Sequence, residues 1–172
     1  QVMAIEGDIT AIEVDVAIVN LFAGIIQPGG ATGAMDQLLD GAITELISNG
    51  ELKGTLGQMT LIHTLGRIPA KRVLVVGLGN EALFGLNTIR RISGESGRFL
   101  RHLGVTRVAA ITPETLIAGI GPEAAAQAFT EGMVMGLYSF SKYREQSKEN
   151  PQEFGELLLV DQEQKKIKML QE

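Results

Sequence analysis

No cysteine occurs in the 172 residues, so disulfides and thiolate metal sites are both excluded. Histidine is scarce as well. His63 and His102 are the two copies, too few for a zinc site of the histidine-cluster kind. Long apolar runs are missing: the longest, over 73–76 and 157–160, are strand-sized, against roughly 20 residues for a membrane helix. Positive charge is the minority sign, with 15 Lys and Arg against 20 Asp and Glu and a net charge of -5. That balance argues against generic nucleic-acid binding, in which phosphate neutralisation supplies most of the affinity. It leaves room for one small anion held by backbone amides. Internal repeats and low-complexity stretches are absent, and no secretory leader is legible at the start. Gln1 stands where an initiator methionine would, which reads as a processed or trimmed start. Together these absences point to a soluble chain in a reducing, cytoplasmic setting, with no membrane partner.

What the chain has in plenty is glycine, 21 copies where about 7% usage gives roughly 12. Glycine serves where the backbone turns with positive φ or approaches another group closely. The remaining composition, 45% hydrophobic and 20% charged, is that of an ordinary globular domain, and the length suits one domain.

The pattern along the chain alternates strands and helices. Strands are expected over 2–6, 16–20, 58–64, 72–76, 108–111 and 157–160. The run Val73-Leu74-Val75-Val76 is apolar throughout, as in a central strand buried on both faces. Met35, Leu38, Leu39, Ala42, Ile43, Leu46 and Ile47 recur at helical spacing, which predicts one amphipathic helix with Thr32 as its cap and Gly50 at its end. A second stripe runs from Ile89 to Leu103 and closes at Gly104. A third follows Pro122, and its small residues would let it lie close against a sheet. Residues 141–154 read as a polar link, and 161–172 as a charged tail or linker after a single domain over 1–160. The alternation predicts a three-layer α/β/α sandwich around a mixed, mostly parallel sheet.

Ligands in such folds bind at the carboxyl ends of strands. Three features fall there. Gly7-Asp8-Ile9-Thr10 follows the first strand. Its carboxylate could accept a hydrogen bond from an exocyclic amine such as that of adenine; equally, Asp8 could cap the turn through Thr10. Pro28-Gly29-Gly30-Ala31-Thr32-Gly33 runs into a helix, where free amides and glycines make an anion site, or simply a capped loop. Gly77-Leu78-Gly79-Asn80-Glu81-Ala82-Leu83-Phe84-Gly85 follows the most buried strand. Its Gly-x-Gly-x-x-Ala lacks the acidic ribose ligand of a dinucleotide fingerprint, so a different kind of phosphate loop suits it better.

The order of these features resembles the macro domain, an ADP-ribose-binding module. Gly7-Asp8-Ile9-Thr10 matches the start of its signature, and Val19-Asn20-Leu21-Phe22-Ala23 stands in the place of its Val-Asn-Ala-Ala-Asn. Pro28 to Met35 is similar to its glycine loop, Ile62-His63-Thr64-Leu65-Gly66 to its Ile-His-Thr-Val-Gly, and Asn80 to Gly85 to its second phosphate loop. The resemblance implies that Asp8 and Ile9 contact adenine. It places Asn20, Gly29, Gly30 and Gly33 at the distal ribose and pyrophosphate. It wraps Gly79, Asn80, Leu83 and Gly85 around the pyrophosphate, with Phe84 on the distal ribose. Ala23 replaces the asparagine associated with hydrolysis in that family, and Glu81 brings negative charge to a phosphate loop; both point away from an ADP-ribosyl hydrolase.

A second resemblance covers more of the chain. Leu52-Lys53-Gly54-Thr55-Leu56-Gly57, the stretch from Ile68 to Gly79, and Ala128 to Tyr143 with its Tyr138-x-Phe140-x-x-Tyr143 pattern are similar to the N-terminal domain of leucyl aminopeptidases, itself macro-like. The Asn-Thr-Asp-Ala-Glu-Gly-Arg motif of that family's two-metal catalytic domain is not found in this chain. The resemblance therefore implies a non-catalytic domain. The ligand it implies is ADP-ribose or a related nucleotide, and the partners a homo-oligomer or an aminopeptidase catalytic domain. His63 reads as a packed or edge residue and His102 as a helix end. Arg90, Arg91, Arg98 and Arg101 read as a solvated helix face.

Overall fold

The computed structural model describes residues 1–111, 119–137 and 154–162. The Tyr138, Phe140 and Tyr143 pattern, the polar link except for Phe154, and the charged residues after Gln162 lie outside them. Six strands form one sheet: β1 (Val2–Glu6), β2 (Val16–Phe22), β3 (Met59–His63), β4 (Arg72–Gly79), β5 (Arg107–Ile111) and β6 (Glu156–Asp161). Their order is β1-β6-β5-β2-β4-β3, and every pairing is parallel except β3 with β4. Four helices cover it: α1 (Gly30–Leu38), α2 (Ala42–Ser48), α3 (Leu86–His102) and α4 (Pro122–Leu137). The mixed, mostly parallel three-layer fold is the one the alternation predicts.

Both faces of the sheet are buried, so the central strands carry apolar residues at odd and even positions alike. Val16, Ile18, Leu74, Val76, Val108 and Leu157 face α3 and α4. Ala17, Val19, Val73, Val75, Ala109 and Leu158 face α1 and α2. Among the described residues no helix is long and apolar enough to cross a membrane.

Three sequence expectations need correction. The stripe from Met35 to Ile47 is two helices, not one. The chain turns left-handed at Asp40 (φ 54°) and Gly41 (φ 77°), and Asp36 makes the break stable. Its Oδ1 accepts from the Ile43 and Thr44 amides at 2.7 and 3.0 Å, and its Oδ2 accepts from the Thr44 hydroxyl. A carboxylate on α1 thus caps α2, satisfying amides that a fresh helix start leaves bare. Thr32 is not the cap of α1, because the helix begins two residues earlier and Gly29 occupies that position with no side chain to offer. Gly77 and Gly79 lie in β4 rather than in a loop.

The small residues of α4 meet a helix more closely than a sheet. A Cβ on Gly132 would sit 2.3 Å from the Arg90 carbonyl oxygen of α3, and one on Gly136 would sit 2.2 Å from the Gly94 carbonyl oxygen. The two helices therefore touch backbone to backbone.

Candidate functional site

Five strands are parallel, so their carboxyl ends share one edge of the sheet. From β2 the chain passes to α1 on one face; from its neighbour β4 it passes to α3 on the other. Connections that part in this way leave a crevice between adjacent strand ends. A cavity of about 260 Å³ occupies that place. Leu21, Phe22, Leu78 and Ile111 form its floor at the ends of β2, β4 and β5. Gly29, Gly30, Ala31 and Thr32 form one wall, and Ile25, Gln27 and Pro28 form a lip.

The wall is the first turn of α1. The amides of this turn have no side-chain cap, since Gly29 supplies none. The Thr32 hydroxyl points back to β2 and donates to the Asn20 carbonyl at 2.6 Å, which fixes the helix start against the strand. The Asn20 side chain lines the cavity and makes no hydrogen bond among the described residues. No lining residue carries a charge. An uncapped helix start, a free carboxamide and an apolar floor can hold a small anion with a neutral body. Among the described residues, no three carboxylates or imidazoles converge as they would around a metal ion.

Of the residues expected from sequence, the cavity brings together Asn20, Gly29 and Gly30. The others stand elsewhere. Asp8 caps the 3₁₀ turn at Ile9–Ala11: its Oδ1 accepts from the Thr10 amide at 2.9 Å and the Thr10 hydroxyl at 2.7 Å. Ile9 is in the core on the α1 side. Gly33 lies one turn into α1, where a Cβ would be 2.6 Å from the Pro28 carbonyl oxygen. Gly79 ends β4 against Leu56. Asn80 Oδ1 accepts from the Ala82 amide at 3.0 Å and caps a second 3₁₀ turn, at Glu81–Leu83. Leu83 is exposed at the surface. Phe84 is buried edge-on against Phe22, with ring centroids 5.2 Å apart. Gly85 caps α3, and its amide donates to the Thr88 hydroxyl at 3.2 Å. Glu81 is exposed and does not line the cavity.

Sequence reading missed Phe22, Ile25, Gln27, Leu78 and Ile111. Phe22 and Leu78 lie past the ends predicted for β2 and β4, which run two and three residues further than their β-branched stretches suggest. Nothing in the sequence marks Ile25 or Gln27 as lining residues.

The family model for the cytosol aminopeptidase family, N-terminal domain, matches residues 18–147. A probable cytosol aminopeptidase of Alkaliphilus oremlandii is 32% identical over 164 residues, 95% of this chain and 33% of that protein. Tomato leucine aminopeptidase, in a mutant form, superposes with a TM-score of 0.71 at 16% identity, covering 99% of this chain and 34% of that one. The Trypanosoma brucei macrodomain in complex with ADP-ribose superposes with a TM-score of 0.75 at 12% identity, over 98% of this chain and 67% of that one. At those identities the two structures speak for the fold. The chain spans about a third or less of the curated relatives it matches. On the matches to the family model and to the relatives, the chain belongs to the cytosol aminopeptidase family and corresponds to its N-terminal domain.

Proposed function

We propose that this domain is a non-catalytic binding module for ADP-ribose or a related nucleotide, acting within a cytoplasmic aminopeptidase. The observation that carries the reading is the uncapped first turn of α1, which forms the wall of a cavity free of charged side chains. Amides at a helix start attract phosphate through both their free N–H groups and the helix dipole. The macrodomain that carries ADP-ribose shares the fold, which supports the choice of ligand class.

Titration calorimetry with ADP-ribose tests it, using the Asn20→Asp variant as the sensitive comparison. The exchange is nearly isosteric and breaks no hydrogen bond of the side chain, so the fold should survive. A carboxylate roughly 5 Å from a phosphate, at an effective dielectric of about 20, is repelled by about 3 kcal/mol, and open water reduces this. Binding should weaken at least about tenfold. Equal affinity in the variant would remove the phosphate from this cavity.

A second reading is favoured by the apolar surface beside the crevice. Ile26 and Leu83 are 79% and 80% exposed, and Ile25 is 38% exposed at the cavity lip. Contiguous exposed apolar groups mark contact surfaces. The domain would then serve oligomerisation or docking to a peptidase catalytic domain. Sedimentation of the chain and of an Ile26→Asp, Leu83→Asp double variant separates the cases. Self-association lost in the variant supports docking, and a monomer in both removes the homo-oligomer.

A further inference from the structure

The three loops that would share a dinucleotide are not equally open. The first is closed on itself, because Oδ1 of Asp8 is occupied by the Thr10 amide and hydroxyl, and Asp8 does not line the cavity. The third is closed by the chain's own backbone. Gly77 and Gly79 leave no room for a ligand, since a Cβ on Gly77 would meet the Thr55 carbonyl oxygen at 2.0 Å and one on Gly79 would meet Leu56 Cβ at 2.9 Å. The segment that fills this space is held by paired bonds: the Gly79 amide donates to the Gly54 carbonyl at 2.9 Å, and the Gly57 amide donates to the Gly77 carbonyl at 3.0 Å. Phe84 is turned inward onto Phe22, and Asn80 is occupied by the Ala82 amide. The middle loop alone stands open, since a Cβ on Gly29 or Gly30 would meet nothing within 4 Å.

Resting on the binding reading above, we infer that the cavity takes a compact phosphate ester with a neutral sugar-sized body, and that a nucleobase adds little to its affinity. The phosphate meets the α1 amides, the Asn20 carboxamide meets a hydroxyl, and the apolar floor of Phe22, Leu78 and Ile111 takes the carbon skeleton. The cavity, at about 260 Å³, lies below the usual 300–1,000 Å³ of sites for larger ligands. A free amine on the ligand would find no carboxylate in the lining, which sets sugar phosphates apart from amino acids.

Calorimetric titration of the whole chain with ribose 5-phosphate, ADP-ribose and adenosine tests the inference. The expected result is that the two phosphates bind within about tenfold of each other and adenosine does not bind. Asp8→Asn should leave both affinities unchanged. ADP-ribose binding about a hundredfold or more tighter than ribose 5-phosphate, or its loss in Asp8→Asn with the circular dichroism retained, would overturn the inference and keep the nucleotide reading. Silence from both phosphates would overturn the two together.

Discussion

Replacing Gly132 by alanine should lower the unfolding free energy by about 2–3 kcal/mol, although alanine is the better helix former. Taken alone, the exchange in a helix interior gains up to about 1 kcal/mol. Here the new methyl would enter the contact between α3 and α4, 2.1 Å from Ser93 Oγ and 2.3 Å from the Arg90 carbonyl oxygen. Ser93 cannot move aside freely. It is fully buried and its hydroxyl donates to the Ile89 carbonyl at 2.7 Å. The Arg90 oxygen is backbone, so relief requires the helices to separate. Separation would also loosen Gly97 and Gly136, where a Cβ already lacks space. Overpacking of this kind costs about 1–3 kcal/mol and exceeds the propensity gain. Gly94→Ala on α3 supplies the contrast, since its Cβ would meet the Gly132 oxygen at an ordinary 3.4 Å. That variant should be neutral or slightly more stable. Urea unfolding of both variants reads the difference, and a Gly132→Ala chain as stable as the parent would refute the close contact.

The same glycines show where sequence reading reaches its limit. Glycine at 77, 79, 132 or 136 says that something comes close, and does not say what. At 77 and 79 the chain's own 54–57 segment comes close; at 132 and 136 another helix does. At Gly29 and Gly30 nothing in the chain does. Only the folded backbone separates the cases.

Strands were legible because burial on two faces demands unbroken apolar runs such as Val73 to Val76 and Leu157 to Leu159. The break between α1 and α2 was not, because the apolar spacing continues across it. It depends on Asp36 reaching seven residues forward to cap the second helix, a contact without a periodic signature. Asp8 offered two chemistries in sequence, base recognition and turn capping. The structure gives its Oδ1 to Thr10. Asn20 was found through its place at a strand end, whereas Leu78 and Ile111 enter the site because β2 lies between β4 and β5, which follows from pairing rather than from composition.

Asp15 joins three strand starts, and removing its charge should make stability far less dependent on acid. It sits just before β2, and its Oδ1 accepts from Lys71 Nζ at 2.7 Å, just ahead of β4. Its Oδ2 accepts from the Thr106 amide and hydroxyl, both at 3.0 Å, and from the Arg107 amide at 3.1 Å, at the start of β5. Partial burial pushes the carboxyl upward. Lys71, the two amides and the hydroxyl outweigh it and hold the group well below its ordinary 3.8. A folded-state value below the unfolded one means that the contribution is complete above about pH 4–5 and fades as pH falls further. Asp15→Asn should therefore cost about 2 kcal/mol at pH 7, from weaker hydrogen bonds and an unpartnered lysine. The gap between parent and variant should narrow steadily between about pH 5 and pH 2. Asp15→Ala, which leaves the Thr106 and Arg107 amides bare, should cost about 3 kcal/mol at neutral pH. Denaturant unfolding across that range reads both effects. A gap that stays constant with pH would mean that the carboxylate's charge is not what ties β5 to β2.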